Sequence, residues 1–154
     1  MKKELRVRPI RNGTVIDHIA PGQALNVLKI LGIAGKTDAV VSAVMNVQSK
    51  KMGTKDIVKV EDRELEPHEV DKIALIAPLA TINIIRNYKV IKKDNVVLPD
   101  AIEGVVRCAN PNCISNTHEP VVSKFTIDKS QRAIRLRCIY CEHIISEDIA
   151  DHLL

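Results

Sequence analysis

An α+β chain in two parts is what this sequence predicts, and three observations predict it. The first ~85 residues read in the order β-α-β-β-α-β, with helical spacing and two-residue alternation taking turns. The stretch after about residue 100 changes to short apolar runs separated by turn residues. All four cysteines of the chain, Cys108, Cys113, Cys138 and Cys141, lie in that last third. The first part reads as residues 1–96 and the second as residues 97–154.

Leu5 to Ile19 reads as a strand, bent near Asn12-Gly13, since Asn-Gly favours a turn. Pro21-Gly22 suits a helix start, and Ala24, Val27, Leu28 and Leu31 fall at helical spacing over Gln23 to Leu31. Gly32 and Gly35 end that helix. Ala39 to Val47 is rich in β-branched residues and predicts a strand. Ser49 to Thr54 is a turn, and Asp56 to Val60 alternates into the next strand. Glu66-Pro67 opens a second helix with Val70, Ile73, Ala74 and Ala77 on one side, and Pro78 stops it. Thr81 to Ile85 is the last strand of this part. The order matches the ferredoxin-like split βαβ, with helices on one face of a four-stranded antiparallel sheet. The same string permits other α+β layouts.

Lys89 to Ile102 reads as a linker or hinge. Beyond it, Val105-Val106, Val121 to Asp128, Ala133 to Arg137 and His143 to Ile145 read as short strands. Glu147 to Leu154 reads as a terminal helix or tail. The cysteines sit between the strands as CANPNC and CIYC, two close pairs with 24 residues between them. That is the spacing of a tetrahedral four-thiolate zinc site, which is structural and leaves no open position for water or substrate. Two disulfides, or a redox pair at CIYC, are the alternatives. No secretory signal follows Met1-Lys2-Lys3-Glu4, which disfavours disulfides, and a redox pair leaves Cys108 and Cys113 unexplained. His118 and His143 are not needed as ligands. Arg107, Lys124, Arg135 and Arg137 are cations that could soften the charge of the site. About 50 residues bury too little apolar surface to fold securely unaided, so one zinc ion per chain is expected to hold this part together.

Composition excludes several functions. Residues 1–100 hold 17 Lys/Arg against 12 Asp/Glu, and residues 101–154 hold 6 against 7. The positive charge therefore lies away from the cysteines, which argues against a zinc-ribbon nucleic-acid adaptor, the main rival reading. With Phe125, Tyr88 and Tyr140 as its only aromatics, the chain also lacks a base-stacking platform. The longest uncharged apolar run, Ile73 to Ile85, is broken by Pro78 and Asn83, so no membrane span is expected and a cytoplasmic protein is. No phosphate-cradling glycine motif, nucleophile elbow or helical His pair is present. A closed zinc shell supplies no Lewis acid. Catalysis is not expected.

One polar dyad, Asp17-His18, interrupts an apolar strand. Strand alternation sends the two side chains to opposite faces. It reads either as a strand-end pair satisfied by local hydrogen bonds or as a site where the carboxylate accepts from sugar hydroxyls. Lys55 and Lys59 share one strand face, and Lys89, Lys92 and Lys93 follow the last strand. They read either as a solvated surface or as phosphate-binding cations.

GTVIDHI (13–19), MGTKDIVKVE (52–61), APLATINIIRNYKV (77–90), CANPNCIS and CIYCE resemble the regulatory chain of aspartate carbamoyltransferase, in order and over nearly the whole chain. The resemblance implies an N-terminal domain that binds CTP and UTP as inhibitors and ATP as activator. It implies a zinc domain that holds a separate catalytic chain, and regulatory homodimers that bridge catalytic trimers. By position, Asp17 and His18 fall at ribose and neighbouring contacts, and Lys59 and Lys93 at ribose and phosphate. Asn83, Ile85, Tyr88 and Val90 line the pocket, with Val7 to Ile10 (Val7, Arg8, Pro9, Ile10) across from them. Lys55 falls nearer a second nucleotide. Arg8-Pro9 departs from the best-known bacterial pattern, which has an acidic and a small residue there. Proline removes a backbone donor and Arg8 changes the local charge, so the balance among CTP, UTP and ATP is expected to differ.

Overall fold

The structure, a computed structural model, describes residues 9–33, 38–129 and 133–154. Val7, Arg8, Gly35 and the expected strand start at Leu5 lie outside the described residues. The chain divides into two compact units between Val96 and Val97.

The first unit is built on β1 (Gly13–Ile19), α1 (Ala24–Ile30), β2 (Val41–Ser49), β3 (Gly53–Glu61), α2 (Pro67–Ile76), β4 (Thr81–Arg86) and β5 (Lys89–Asn95). All neighbouring strands pair antiparallel, in the order β2-β3-β1-β4-β5. The first four strands keep the order that a split βαβ requires, and β5 adds a fifth to the expected four. The expected linker over Lys89 to Ile102 is thus corrected. Its first half is β5, a hairpin partner of β4 that turns through Asn87 and Tyr88, both at positive φ. Its end is β6 (Ala101–Glu103) of the second unit. Only residues 96–100 join the two sheets without being in a strand.

The core of this unit lies on the helix side of the sheet. Ile16, Ile19, Val58 and Val60 are fully buried there together with Ala24, Val27, Ile73 and Ala74. Alternation along β3 sends Asp56, Val58 and Val60 inward and leaves Lys55, Ile57 and Lys59 half-buried on the other face. Asp56 is fully buried and satisfied. Its carboxylate accepts from the N–H groups of Gly22 (2.9 Å), Ala24 (3.0 Å) and Asn46 (3.0 Å). It therefore fixes the entrance of α1 and the bulge of β2 at once. Arg63 makes a second tie, donating to the Leu31 carbonyl at the end of α1 and to the buried Glu69 of α2.

The second unit is a four-stranded antiparallel sheet in the order β6-β7-β8-β9, with β7 at Lys124–Asp128, β8 at Arg135–Cys138 and β9 at Ile144–Ile145. Its core is small: Ile102, Val106, Phe125, Ile127, Leu136 and Ile145, with Cys108, Cys113 and Cys138. Val106 makes an isolated bridge to Leu153 rather than a strand. The tail from Glu147 folds as one short 3-10 turn, Ile149–His152. Among the described residues no helix is long and apolar enough to cross a membrane.

Candidate functional site

The four cysteines come together from two turns. In the first, Asn110 accepts from the Asn112 N–H through its side chain and from the Cys113 N–H through its carbonyl. Asn116 ties the turn from outside, donating to the carbonyls of Cys108 (2.9 Å) and Asn110 (2.7 Å). In the second, the Glu142 N–H returns to the Cys138 carbonyl, with Glu142 at φ 64°. The four sulfurs lie within 4.8 Å of one another. Cys108 Sγ is 3.5 Å from Cys141 Sγ, and Cys113 Sγ is 3.6 Å from Cys138 Sγ. Each contact joins one turn to the other, and none is a disulfide.

A metal ion with ~2.3 Å bonds to sulfur sets tetrahedral sulfurs about 3.8 Å apart, so this donor set fits a closed S4 site. Burial pushes the Cys108 thiol up to about 12. Cys141, despite some burial, is drawn down to about 7 by the His143 N–H and the Asn110 side chain. A dication would reverse the first of these and favour four thiolates. His118 and His143 are exposed and outside the group.

The second candidate region is the sheet face of the first unit opposite the helices. Directly paired residues share a face, and pairing places Lys59, Val15, Asn83 and Lys93 in one row across β3, β1, β4 and β5. Three interstrand gaps of about 4.8 Å set the ends of that row about 14 Å apart along the backbone. The next row pairs Asp17 with Thr81 and Thr81 with Asn95. Asp17 is ion-paired with Lys55, Nζ to Oδ1 at 3.0 Å. Burial lowers the pKa of Lys59, and Asp17 partly offsets this. Asn83 donates to the Val15 carbonyl, which fixes the face its amide presents.

The expectation that Asp17 and His18 point to opposite faces is corrected. His18 has φ 57°, and the β1–β3 register slips between Ile16 and Ile19. This bulge adds one residue to the alternation, so Ile16 and Ile19 are both buried and Asp17 and His18 share the outer face. His18 Nδ1 lies 3.3 Å from Thr81 Oγ1 and 3.9 Å from Asp17 Oδ2.

The remaining sequence candidates are less gathered. Ile85 pairs with Val90 beside a bulge in β5, Ile85 buried and Val90 exposed. The Tyr88 N–H donates to the Arg11 carbonyl, which joins the hairpin to the chain leading into β1. Ile10 is buried and Pro9 exposed in that lead-in. Sequence reasoning missed Thr81, the hydroxyl beside His18. The position of Thr81 two residues before Asn83 on the same strand is the signal that could have found it.

Comparisons with known proteins agree with this layout. The family described as the aspartate carbamoyltransferase regulatory chain, allosteric domain, matches residues 5–97. The metal binding domain of the same chain matches residues 100–151. The aspartate carbamoyltransferase regulatory chain of Methanocella arvoryzae is 63% identical over 153 residues, covering 99% of this chain and 98% of the relative. That of Methanothrix thermoacetophila is 63% identical over 154 residues, covering 100% and 99%. That of Methanosarcina barkeri is 56% identical, covering 99% and 98%.

Proposed function

The chain belongs to the aspartate carbamoyltransferase regulatory chain family, a non-catalytic family with an allosteric and a metal-binding domain, and on that basis we propose that residues 1–96 bind nucleotide effectors while residues 97–154 hold one zinc ion and dock the catalytic chain. CTP and UTP act as inhibitors and ATP as activator. Nucleotides at one site act oppositely only by favouring different quaternary states, so the signal is a difference in their affinity for two states. The chain acts in the cytoplasm, where thiolates stay reduced for the metal.

The observation that supports effector binding best is the row Lys59–Val15–Asn83–Lys93 with Asp17 beside it. It offers a carboxylate and an amide for hydroxyls near β1. It offers the exposed Lys93 at the sheet edge, its backbone about 14 Å from that of Lys59, for a phosphate tail. Titration calorimetry with CTP and ATP tests this. Lys93→Ala and Lys59→Ala should each weaken binding about 10-fold or more, the scale of one charged hydrogen bond. Affinities equal to wild type would sink the assignment.

The two sheet edges support a homodimer formed through β2. The β2 strand VSAVMNVQS holds no charged residue, and Met45 is 40% exposed beside Val40 at 63%. The other edge, KVIKKDN, is guarded by lysines. An uncharged nine-residue edge is a template for pairing with a second strand. Replacing Ala43, exposed in the middle of β2, by proline should turn the dimer into a monomer in sedimentation at micromolar concentration. A dimer of unchanged stability would count against β2 as the interface.

A further inference from the structure

The second unit holds a groove of about 370 Å³ outside the cysteine cluster. Its walls come from Gly104 and Arg107 on one side, Ser115 to Thr117 behind the first cysteine turn, and Val121 to Ser123 leading into β7. Two of these residues are chemically unfinished. Ser123 is 8% exposed, and its Oγ is the one buried side-chain polar atom without a hydrogen-bond partner among the described residues. A polar group left so typically costs about 1–3 kcal/mol. Arg107 is exposed, and its guanidinium forms no ion pair among the described residues, whereas Lys124 and Lys129 are paired with Glu103 and Asp100. The other polar walls are satisfied at home: Thr117 Oγ1 on the Ile114 carbonyl, Asn116 Nδ2 on two carbonyls, Ser115 Oγ beside Cys113 Sγ. The rim is apolar, with Val122 at 60% exposure and Leu154 at 56%.

We propose that this groove is the anchor point of the docking surface, and that it receives an acidic side chain of the catalytic chain, flanked by apolar neighbours, on Arg107 and Ser123. The inference rests on the reading that this unit docks a catalytic chain, and adds which side-chain chemistry it reads. Charge chooses the occupant. Residues 101–154 carry 6 Lys/Arg against 7 Asp/Glu, and four thiolates on one dication add formal negative charge. An acidic partner group is therefore repelled over most of this unit and accepted where a free guanidinium stands. A planar guanidinium takes a carboxylate bidentately. An apolar rim excludes water around that pair, the arrangement in which a single anchor dominates an interface. Ser123 has three staggered χ1 wells, and its hydroxyl, in the wall of the same groove, is a donor without an acceptor.

The test is assembly with purified catalytic trimers, followed by sedimentation across a salt series. Arg107→Glu should weaken assembly about 30-fold or more, and Arg107→Lys should recover part of the loss. Because Arg107 adjoins a cysteine ligand, Val122→Glu on the opposite rim serves as the second variant. It should weaken assembly likewise while metal content stays at the wild-type value. Charge reversal of the cognate acidic residue on the trimer should restore assembly of Arg107→Glu. Wild-type affinity and salt dependence in both charge variants would overturn the anchor and leave docking by this unit standing. A failure of the wild-type chain to assemble would overturn both. Loss of self-association by Arg107→Glu in the absence of trimers, with docking intact, would assign the groove to a second copy of this chain and overturn the proposal too.

Discussion

Stripping the metal should unfold residues 97–154 while the first unit keeps its fold. Three of the nine residues in the buried core of the second unit are cysteines. Without a metal those sulfurs are buried thiols with little to hold them, and burial, with the neighbouring cysteines, pushes the Cys108 thiol up to about 12. Structural zinc in small domains contributes on the order of 10–16 kcal/mol, more than a sheet of four short strands supplies at this size. Backbone NMR with and without a strong chelator reads the outcome directly. Signals from Val106, Phe125 and Leu136 should collapse to unfolded positions, and those from Ile16, Val58 and Ile73 should not move. Cys138→Ser, at a fully buried member of the cysteine cluster, should do the same without chelator. Docking to catalytic trimers should vanish in both cases and nucleotide binding should survive. A second unit that stays folded after metal removal would refute the structural role of the ion.

Asp56→Ala should be the most damaging single substitution in the first unit outside its apolar core. Three backbone N–H groups lose their acceptor together, at Gly22, Ala24 and Asn46. Three lost acceptor contacts and the lost cap make about 3 kcal/mol a reasonable lower figure, or roughly 10–20 °C in Tm for a unit of this size. Asp56→Asn keeps one acceptor oxygen and should fall between. Urea unfolding of the protein at fixed concentration checks this, with the slope unchanged and the midpoint lowered. A loss below about 1 kcal/mol would show that the three donors find water or other partners.

The sequence made the metal cluster legible because ligand spacing is local, and each pair sits on one turn. It made the strand order legible because alternation and helical spacing follow one another cleanly up to Ile85. β5 was hidden by its own composition. KVIKKDN is exposed at every position, so no apolar period marks it, and only its hydrogen bonds to β4 make it a strand. The lysines that disguise it as a linker are what keep such an edge from pairing elsewhere. The face of His18 was hidden for a different reason. Alternation holds only while the register does, and a single residue at φ 57° reset it. Asp56 was legible in principle. It shares parity with Val58 and Val60, so its side chain had to enter the core and find donors there.

The strict separation of the two faces of the first sheet has a use in protein engineering. Positions 15, 57, 59, 83 and 93 sit on the helix-free face, while 14, 16, 58, 60 and 82 belong to the core side. Randomising the first set leaves the second, and hence the packing, intact. A combinatorial library confined to those codons would sample new small-molecule binding on an unchanged scaffold, and so offers a route to tailored metabolite receptors.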